Sequence, residues 1–282
     1  MTTVASSSSS KGADLNPAAL NVALMGTRFA GRVHHFAHIG STSTALLESA
    51  AEGAPEGTVY LADEQTAGRG RGGHAWHSAP GDGLYLSALV KPSLALRDAL
   101  LLSLATGLAA WQAIHEVSGV SVDLRWPNDL LASRDGRSRK VGGILVETSV
   151  EPGADPLLRY AVIGVGINVH HAGFPAELAS LATSLALESE LPVFRGPIAL
   201  SLLRQIDLEL TRLELGGGQK DLLARFTERS SWVLGKRVSV PEQGGYTGVT
   251  AGLDAQGYLL VDGDDGVVRT VRSGGVREIE TN

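Results

Sequence analysis

The feature that most constrains the fold of this chain is a strand-length segment, residues 160–169, that is apolar on both of its faces. A strand with one face in water alternates apolar and polar residues, so this segment is expected to be covered on both sides. The apolar tract at residues 99–117 can supply one cover, because Gln112 and His115 interrupt it as in a buried helix rather than a membrane span. The sequence therefore predicts an α+β fold with a mixed sheet between helices.

The rest of the chain supplies further segments with the periodicity of strands or helices. Expected strands cover residues 33–39, 58–62, 84–90, 122–126, 130–132 and 141–149. Expected helices cover residues 44–51, which Ser43 would cap, 97–117, 175–183, 195–214 and 218–230. After Trp232 the pattern changes to short strands separated by glycine turns, which is typical of a small barrel.

The chain therefore divides into three expected regions. Residues 1–30 are rich in serine and alanine and predict a flexible amino-terminal tail. Residues 31–230 form the large domain, and residues 231–282 form the small carboxy-terminal domain. A tail of this length does not hold a helix-turn-helix domain, which argues against DNA binding.

Composition argues against several functional classes. The chain has 24 basic and 30 acidic residues and a formal net charge of -6, so its surface as a whole would repel nucleic acid. It has no cysteine, which excludes a disulfide scaffold, a thiol nucleophile and a cysteine-ligated zinc site. The first residues lack the basic and apolar regions of a secretory signal. We therefore expect a cytoplasmic protein with no nucleic acid or membrane partner.

The first segment with chemical potential is the glycine- and arginine-rich run TAGRGRGG at residues 66–73. Its glycines let backbone N–H groups approach an anion, and Arg69 and Arg71 offer permanently charged donors to phosphate or carboxylate. A solvated surface loop is the alternative. The run predicts an anion-binding loop between two strands.

Three further segments combine apolar strands with polar residues: RWPNDLL, RKVGGILVE and GVGIN, which begin at residues 125, 139 and 164. Lys140 could present a compact charge to a phosphate, and Gly142 and Gly143 could let a flat ring lie against a strand. Taken singly, Lys140 also fits a lysine in solvent and Asn168 a turn residue. The histidine pairs of the chain lack metal-ligand spacing, so no protein side chain is assigned to a metal.

The order and spacing of these segments, with STST at residues 41–44 in front of them, resemble those of the biotin protein ligases. The resemblance covers residues 33–229 and, more loosely, the terminal barrel. It implies a catalytic core like that of class II aminoacyl-tRNA synthetases, followed by an SH3-like domain. It also implies an ATP-dependent, AMP-forming enzyme that makes biotinyl-5'-adenylate. The acceptor would be a lysine of the biotin carboxyl carrier protein of acetyl-CoA carboxylase.

The resemblance also assigns residues to the two substrates. Biotin would contact Ser41, Thr42, Ser43, Gln65, Arg69, Gly70, Arg71, Lys140, Gly142 and Gly143. ATP would contact Arg71, Trp76, Asn128, Asp129, Lys140 and Asn168, although Trp76 equally fits a core aromatic residue. Two positions depart from the family pattern, because Gly40 stands where the family has aspartate and Ser43 where it has asparagine.

The chemistry accounts for the cationic residues. A biotin carboxylate is ionised at neutral pH and needs no general base to attack the α-phosphorus of ATP, but the two anions repel each other. Arg69, Arg71, Lys140 and a Mg²⁺ ion on the phosphates would offset that repulsion. The acceptor lysine is an ammonium at neutral pH, so the second step needs a deprotonation, for which Asp129 is the candidate. These four residues form the predicted catalytic set.

Two other functions remain open. A lipoate or octanoate protein ligase or transferase is similar in fold and also modifies a carrier lysine, although the R-G-R loop and the K-x-G-G strand favour biotin. A biotin-binding regulator without catalysis would use the biotin-contacting residues alone. An exposed strand edge would also allow a homodimer, which one sequence does not decide.

Overall fold

The structure is a computed structural model that describes residues 14–241, 245–272 and 274–279. Its strands are β1 (Val33–Ile39), β2 (Val59–Gln65), β3 (Gly83–Val90), β4 (Val122–Arg125), β5 (Asp129–Ala132), β6 (Arg139–Val150), β7 (Leu158–Asn168), β8 (Leu234–Val240), β9 (Tyr246–Leu253), β10 (Leu259–Gly263), β11 (Val268–Val271) and β12 (Arg277–Glu278). Its helices are α1 (Pro17–Ala23), α2 (Thr42–Ala51), α3 (Leu100–Ser118), α4 (Leu185–Glu188), α5 (Arg195–Glu214) and α6 (Gly218–Glu228).

A seven-stranded sheet in the order β1-β2-β3-β7-β6-β5-β4 organises the large domain. β1 and β2 are parallel and the other neighbours are antiparallel, so the predicted mixed sheet is confirmed. β7 pairs with β3 on one side and with β6 on the other. The segment at residues 160–169 is therefore a central strand, as its two apolar faces predicted.

The two faces of this sheet are covered differently. On one face, Ile163, Val165 and Ile167 of β7 belong to the main core, which α3, α5 and α6 complete. On the other face, β7 contributes to a smaller core under α2. Because strand side chains alternate between faces, Gly164 and Gly166 lie on the α2 face. Next to the amino-terminal turn of α2 these glycines line a cavity.

α3 is the central helix of the main core. Among the described residues, the stretch Leu96–Ser118 is the one helix long and apolar enough to cross a membrane. However, 67% of its most apolar 18 residues is buried inside the protein. Gly107 in its middle lets Phe226 of α6 approach closely, with 3.3 Å between an added Cβ and the ring. The apolar composition of α3 therefore matches its burial against α5, α6 and the sheet.

The amino-terminal part of the described chain is folded, which corrects the predicted tail. α1 packs on β1 and α5, and Leu20, Leu24 and Phe29 are buried in the main core. These apolar residues carry too little periodicity to be recognised in a serine- and alanine-rich segment. The prediction of a flexible tail is therefore wrong for residues 14–30, and residues 1–13 lie outside the described residues.

The start of α2 lies two residues before the predicted one. α2 begins at Thr42, and its cap is Ser41, whose Oγ accepts a hydrogen bond from Thr44 N at 3.4 Å. Ser43, the predicted cap, lies inside the helix and is buried. The STST run contains several residues that can cap a helix, and the sequence alone does not choose among them.

The prediction of a helix at residues 175–183 is wrong. These residues form turns, and only the short α4 follows, capped by Ser184. Lys140 N donates to Leu181 O, and Thr183 N donates to Lys140 O, both within 2.9 Å. This pairing with the start of β6 supplies the backbone hydrogen bonds that a helix would otherwise provide, and it overrides local propensity.

The carboxy-terminal domain is a five-stranded antiparallel sheet in the order β11-β10-β9-β8-β12. Its first strand, β8, begins close to the expected boundary at residue 231. Trp126 Nε1 donates to Gly257 O at 2.9 Å, and Ser231 Oγ donates to an Asp123 carboxylate oxygen at 2.7 Å. The small domain is therefore fixed to the β4 edge of the large sheet.

Candidate functional site

Three glycines on the α2 face of the sheet make room for a ligand. A Cβ on Gly164 would lie 2.5 Å from Ser43 Oγ, and a Cβ on Gly166 would lie 2.5 Å from Trp76 Cε2. A Cβ on Gly143 would lie 3.2 Å from the same indole. Side chains at these positions would displace their neighbours, so the strands present bare backbone here. All three glycines line one cavity.

A cluster of uncharged polar side chains, the hydroxyl corner, is formed by Thr42, Ser43, Gln65 and Ser87; the first three line this cavity, and the fully buried Ser87 lies behind them. Ser87 Oγ lies 2.8 Å from Thr42 Oγ1 and 2.9 Å from Ser43 Oγ. Thr42 also donates through its backbone N and its Oγ1 to Gln65 Oε1, at 2.9 and 3.0 Å. The three hydroxyl residues are buried. A fixed, uncharged set of donors and acceptors suits an uncharged polar ring.

Another part of the site, the cation end, consists of Arg125, Asp129 and Lys140. Lys140 Nζ lies 2.6 Å from Asp129 Oδ1, and Arg125 donates to Asp129 Oδ2 through Nε at 3.2 Å and through Nη2. Burial raises the pKa of the Asp129 carboxyl, but the Lys140 and Arg125 charges outweigh burial and lower this pKa on balance. Asp129 is therefore ionised at neutral pH and holds Lys140 in place.

The glycine- and arginine-rich loop lies against the same cavity, and both of its arginines are anchored. Arg69 forms a two-point ion pair with Glu147, with Nη2 to Oε1 at 2.8 Å and Nη1 to Oε2 at 3.1 Å. Arg71 Nη1 donates to Gly274 O of the carboxy-terminal domain at 2.6 Å. Both arginines line the cavity with Gly70. The loop is therefore part of the site rather than a purely solvated loop.

Trp76 stands between this cavity and a second one. Its indole lies over the glycine floor, and Lys140 Nζ lies 5.3 Å from the ring centroid. The first cavity encloses about 40 Å³. Pockets for small-molecule ligands begin at roughly 300 Å³. Entry of a ligand therefore requires the indole or the loop to move.

The second cavity, of about 490 Å³, lies between the core and the carboxy-terminal domain. Trp76 and Lys140 line both cavities. Phe174 and Leu178, from the segment between β7 and α4, add apolar surface, and Arg277 of β12 adds a cation. Apolar surface beside cations suits a molecule that carries both an aromatic base and phosphates.

Among the described residues, no group of three or more histidine, aspartate or glutamate side chains is placed to hold a metal ion. His171 instead stacks on Phe174, with 4.8 Å between the ring centroids. His170 Nδ1 lies 3.1 Å from Gly81 O and its Nε2 lies 2.9 Å from Val193 O. His170 and His171 therefore contact backbone carbonyls and an aromatic ring of the protein.

The structure brings most of the predicted site residues together. Those that line the first cavity are Ser41, Thr42, Ser43, Gln65, Arg69, Gly70, Arg71, Trp76, Asn128, Lys140 and Gly143. Asp129 pairs with Lys140, and Asn168 lines the second cavity while its amide donates to Thr183 O at 3.0 Å. Gly142 differs, because a Cβ there would meet Leu130 in the main core, and it faces away from the cavity.

Sequence reasoning missed residues on β3 and β7. Ser87 carried a readable signal, because it is the one aliphatic hydroxyl in the apolar run LYLSALV. Tyr85 lines the cavity; its OH donates to Ala79 O at 2.9 Å, and burial raises its pKa, so the phenol stays neutral. Gly164 and Gly166 gave no signal of their own, since their role depends on α2 and Trp76 lying above them.

Two family models match the chain. The biotin/lipoate A/B protein ligase family model matches residues 36–168, and the biotin protein ligase C terminal domain model matches residues 233–276. A biotin--[acetyl-CoA-carboxylase] ligase of Mycobacterium tuberculosis is 36% identical over 233 residues, which are 80% of this chain and 81% of the relative. The bifunctional ligase/repressor BirA of Bacillus subtilis is 32% identical over 234 residues, 81% of this chain and 69% of the relative.

A solved structure is similar along its whole length. The biotin protein ligase from Aquifex aeolicus in complex with biotin and ATP has a TM-score of 0.72 and 28% identity, and the match covers 88% of this chain and 100% of that one. The chain therefore belongs to the biotin/lipoate A/B protein ligase family. Within that family it groups with the biotin protein ligases, as the motifs predicted, and the predicted core and SH3-like domain are confirmed.

Proposed function

We propose that this chain activates biotin with ATP, forming biotinyl-5'-adenylate and pyrophosphate. It then transfers biotin to a lysine of the biotin carboxyl carrier protein of acetyl-CoA carboxylase and releases AMP. The observation that carries the proposal is a single cavity that joins the buried hydroxyl corner to Lys140 and Arg71. The relative from Mycobacterium tuberculosis is named for this activity, and the Aquifex aeolicus structure contains both substrates.

The hydroxyl corner favours biotin over lipoate or octanoate. The ureido group of biotin has an acceptor oxygen and two N–H donors, which can bond to the cavity-lining polar groups of Thr42, Ser43 and Gln65. A dithiolane ring or an alkyl chain would cover these groups without offering such bonds, at a cost of about 1 to 3 kcal/mol per group left unsatisfied. This corner is therefore the basis for choosing among the family's substrates.

The cationic residues favour catalysis over a binding-only regulator. In the first step a biotin carboxylate oxygen bonds to the α-phosphorus, and the bond from that phosphorus to pyrophosphate breaks. Lys140 and Arg71 would stabilise the anionic phosphates, and the Mg²⁺ ion belongs to the nucleotide substrate. Trp76 and Asn168 would meet the base in the second cavity. A site that only bound biotin would need a cation for its one carboxylate but would have no use for the second cavity.

Asp129 is better suited to positioning than to proton transfer. Its lowered pKa is the opposite of what a base acting near neutral pH needs. Its ion pairs with Lys140 and Arg125 instead hold two cations where phosphates would bind. We therefore assign Asp129 the role of orienting Lys140. If Asp129→Asn slows transfer from preformed adenylate but not adenylation, Asp129 is the base and this assignment is wrong.

The partners follow from the chemistry. The acceptor protein must bring an extended lysine to the adenylate, and no nucleic acid or membrane takes part in either step. The reaction consumes ATP, and the chain has no cysteine, so we place it in the cytoplasm.

β1 forms one edge of the seven-stranded sheet, and that edge offers backbone groups through which a second copy could form a homodimer.

The test is pyrophosphate release from ATP and Mg²⁺ in the presence of biotin, lipoate or octanoate, comparing the wild type with Lys140→Ala. We expect release with biotin alone and a fall of about 100- to 1,000-fold in the variant, the usual effect of removing one group that stabilises transition-state charge. Release with lipoate or octanoate alone would mean that the hydroxyl corner has been misread. Biotin binding without release would favour a regulator.

The chain offers a matched control for this lysine. Lys236 also pairs with a carboxylate, Glu278 at 2.5 Å, and its Nζ lies 5.0 Å from the Trp232 ring centroid. It is buried to a similar degree but lines neither cavity, although its partners Trp232 and Glu278 line the second one. Lys236→Ala should therefore lower the release rate far less than Lys140→Ala does. An equal loss in both variants would show that the effect is structural.

A further inference from the structure

One hydrogen bond joins the loop of the cavity to the carboxy-terminal domain. Arg71 Nη1 donates to Gly274 O at 2.6 Å, across 203 positions of sequence. A hydrogen bond from a charged guanidinium is stronger than one between neutral groups. The acceptor is a main-chain oxygen, so its place depends on the backbone at Gly274 and not on a flexible side chain.

The carboxy-terminal domain gives this oxygen a fixed position relative to the sheet. Trp126 Nε1 donates to Gly257 O, and Ser231 bonds to Asp123 through both its backbone N and its Oγ. Both contacts are made by residues next to or within β4, away from the loop. Gly274 O is therefore attached to the large domain independently of Arg71.

The loop is closed into one small hairpin by its own backbone hydrogen bonds. Gly70 N donates to His74 O at 2.7 Å and Trp76 N donates to Gly68 O at 2.9 Å, which ties its two sides together. Arg71 lies at the tip, and the following Gly72 and Gly73 have positive φ angles of 68° and 80°. A contact that holds Arg71 therefore holds the whole hairpin, including the backbone around Trp76.

We propose that the Gly274 carbonyl is a latch: it positions residues 66–73 through Arg71 and thereby keeps the activated intermediate in the cavity. The proposal rests on the proposed function and adds to it a positioning residue outside the catalytic domain. Arg71 lines the cavity, and its guanidinium has five N–H donors, so a bond to Gly274 is compatible with contact to an anionic ligand. The carboxy-terminal domain would then control how long the adenylate is shielded from water.

Gly274 can be altered without touching the cavity. Its φ of 76° is unfavourable for any residue with a Cβ, so Gly274→Val should shift the carbonyl away from Arg71. Gly266 is the matched control, because it has the same φ of 76°, belongs to the same domain and has open space around its Cβ position. Gly266→Val should impose the same backbone strain without moving the latch.

The first measurement needs no substrate. Hydrogen exchange of the hairpin amides of Gly70 and Trp76 reports how often the hairpin opens, and losing one charge-assisted bond should speed it about tenfold. We expect that increase in Gly274→Val and not in Gly266→Val, with thermal unfolding showing that both are folded. Gly274→Ala serves if the valine variant unfolds. Unchanged exchange in a folded Gly274 variant overturns the latch.

The second measurement uses turnover. The number of pyrophosphate molecules released per biotin transferred to the carrier should rise in Gly274→Val, because adenylate that escapes is hydrolysed. In an Arg71→Ala background, Gly274→Val should add nothing, since the contact is already lost. Additive effects of the two changes overturn the latch. If the wild type releases no pyrophosphate with biotin, the proposed function fails, and the exchange result still decides the latch.

Discussion

The side chains in the two parts of the site are held in place by different interactions. The hydroxyl corner is buried and uncharged, and its members bond to one another through Ser87 Oγ. The cation end is half-exposed, and its order comes from ion pairs such as Lys140 to Asp129 at 2.6 Å. The first is held by uncharged hydrogen bonds alone, whereas on the proposed function the cations of the second would be shared between Asp129 and incoming phosphates.

This difference separates specificity from catalysis. Changes in the hydroxyl corner should alter the affinity for biotin and leave salt dependence unchanged, since no charge is involved. Changes at the cation end should alter the rate of adenylation and depend on ionic strength, because exposed charges are screened by salt. A hydroxyl-corner variant with an altered adenylation rate and salt dependence, or a cation-end variant with an altered biotin affinity alone, would show that the two parts are not separate.

The largest expected effect on biotin binding comes from filling the floor beside the hydroxyl corner. Gly164→Val places a Cβ 2.5 Å from Ser43 Oγ, so α2 or the ligand must be displaced. We expect the Kd for biotin, measured by calorimetry, to rise by about 100-fold. Gly153→Val, where an added Cβ meets no atom within 4 Å, should bind as the wild type does. Equal affinities in the two variants would remove Gly164 from the site.

The next effect concerns stability at the cation end. Asp129→Asn removes a partly buried carboxylate between two cations and should lower the free energy of unfolding by about 2 kcal/mol near neutral pH. Since the pKa of Asp129 is lowered in the folded state, its contribution is present above the ordinary value of about 4 and is lost as the pH falls through the lowered value. Urea unfolding should therefore show the two proteins converging below about pH 4.

Glu209 provides the control for this prediction. Its buried carboxylate accepts from Arg225 at 2.8 and 2.9 Å and from Arg212 at 3.0 Å, far from the cavity. Glu209→Gln should also destabilise the fold but leave the adenylation rate unchanged. If both variants lose the same stability and the same activity, Asp129 has no role beyond folding.

A smaller effect is expected from the centre of the hydroxyl corner. Ser87→Ala removes the hydroxyl that Thr42 and Ser43 share, and the Kd for biotin should rise about tenfold at an unchanged maximal rate. Ser118 is the control, because its buried Oγ donates to Ile114 O at 2.6 Å and accepts from Val120 N at 3.2 Å, and none of these residues lines the cavity. Ser118→Ala should leave the Kd for biotin unchanged. A Ser87→Ala protein with unchanged Kd but a slower maximal rate would contradict the separation of the two parts.

The smallest effect is expected at the exposed ion pair. Glu147→Gln releases Arg69, whose side chain is 45% exposed, so the adenylation rate should change by only about two- to threefold, and less in high salt. Glu190→Gln breaks a comparable exposed pair with Arg134 and should have no effect on that rate. A large, salt-independent loss in Glu147→Gln would mean that Arg69 depends on this pair to meet the substrate.

Much of the fold follows from local patterns. The two apolar faces of β7 predicted a central strand, and the periodic run at residues 195–214 is α5 with the same bounds. The site residues that sit in glycine-rich or charged motifs were also recognisable, because their composition is unusual for strands and helices. Lys140, Arg69 and Arg71 belong to this group.

What local patterns miss is set by contacts between distant segments. Gly166 matters because Trp76 lies over it, and Gly274 because Arg71 reaches it, and neither partner is near in sequence. Residues 175–183 lose their helix to pairing with Lys140 for the same reason. Gly142 was placed in the site because it neighbours Gly143, but alternate strand residues face opposite sides.

The most direct test of the account is a crystal structure with a non-hydrolysable analogue of biotinyl-adenylate. We expect the ureido ring among Thr42, Ser43 and Ser87, the linking group within hydrogen-bond distance of Lys140, and the base in the second cavity beside Trp76. That result would show one ligand spanning both parts of the site. A ring bound away from the hydroxyl corner, or a linking group remote from Lys140, would contradict the assignment of the two parts.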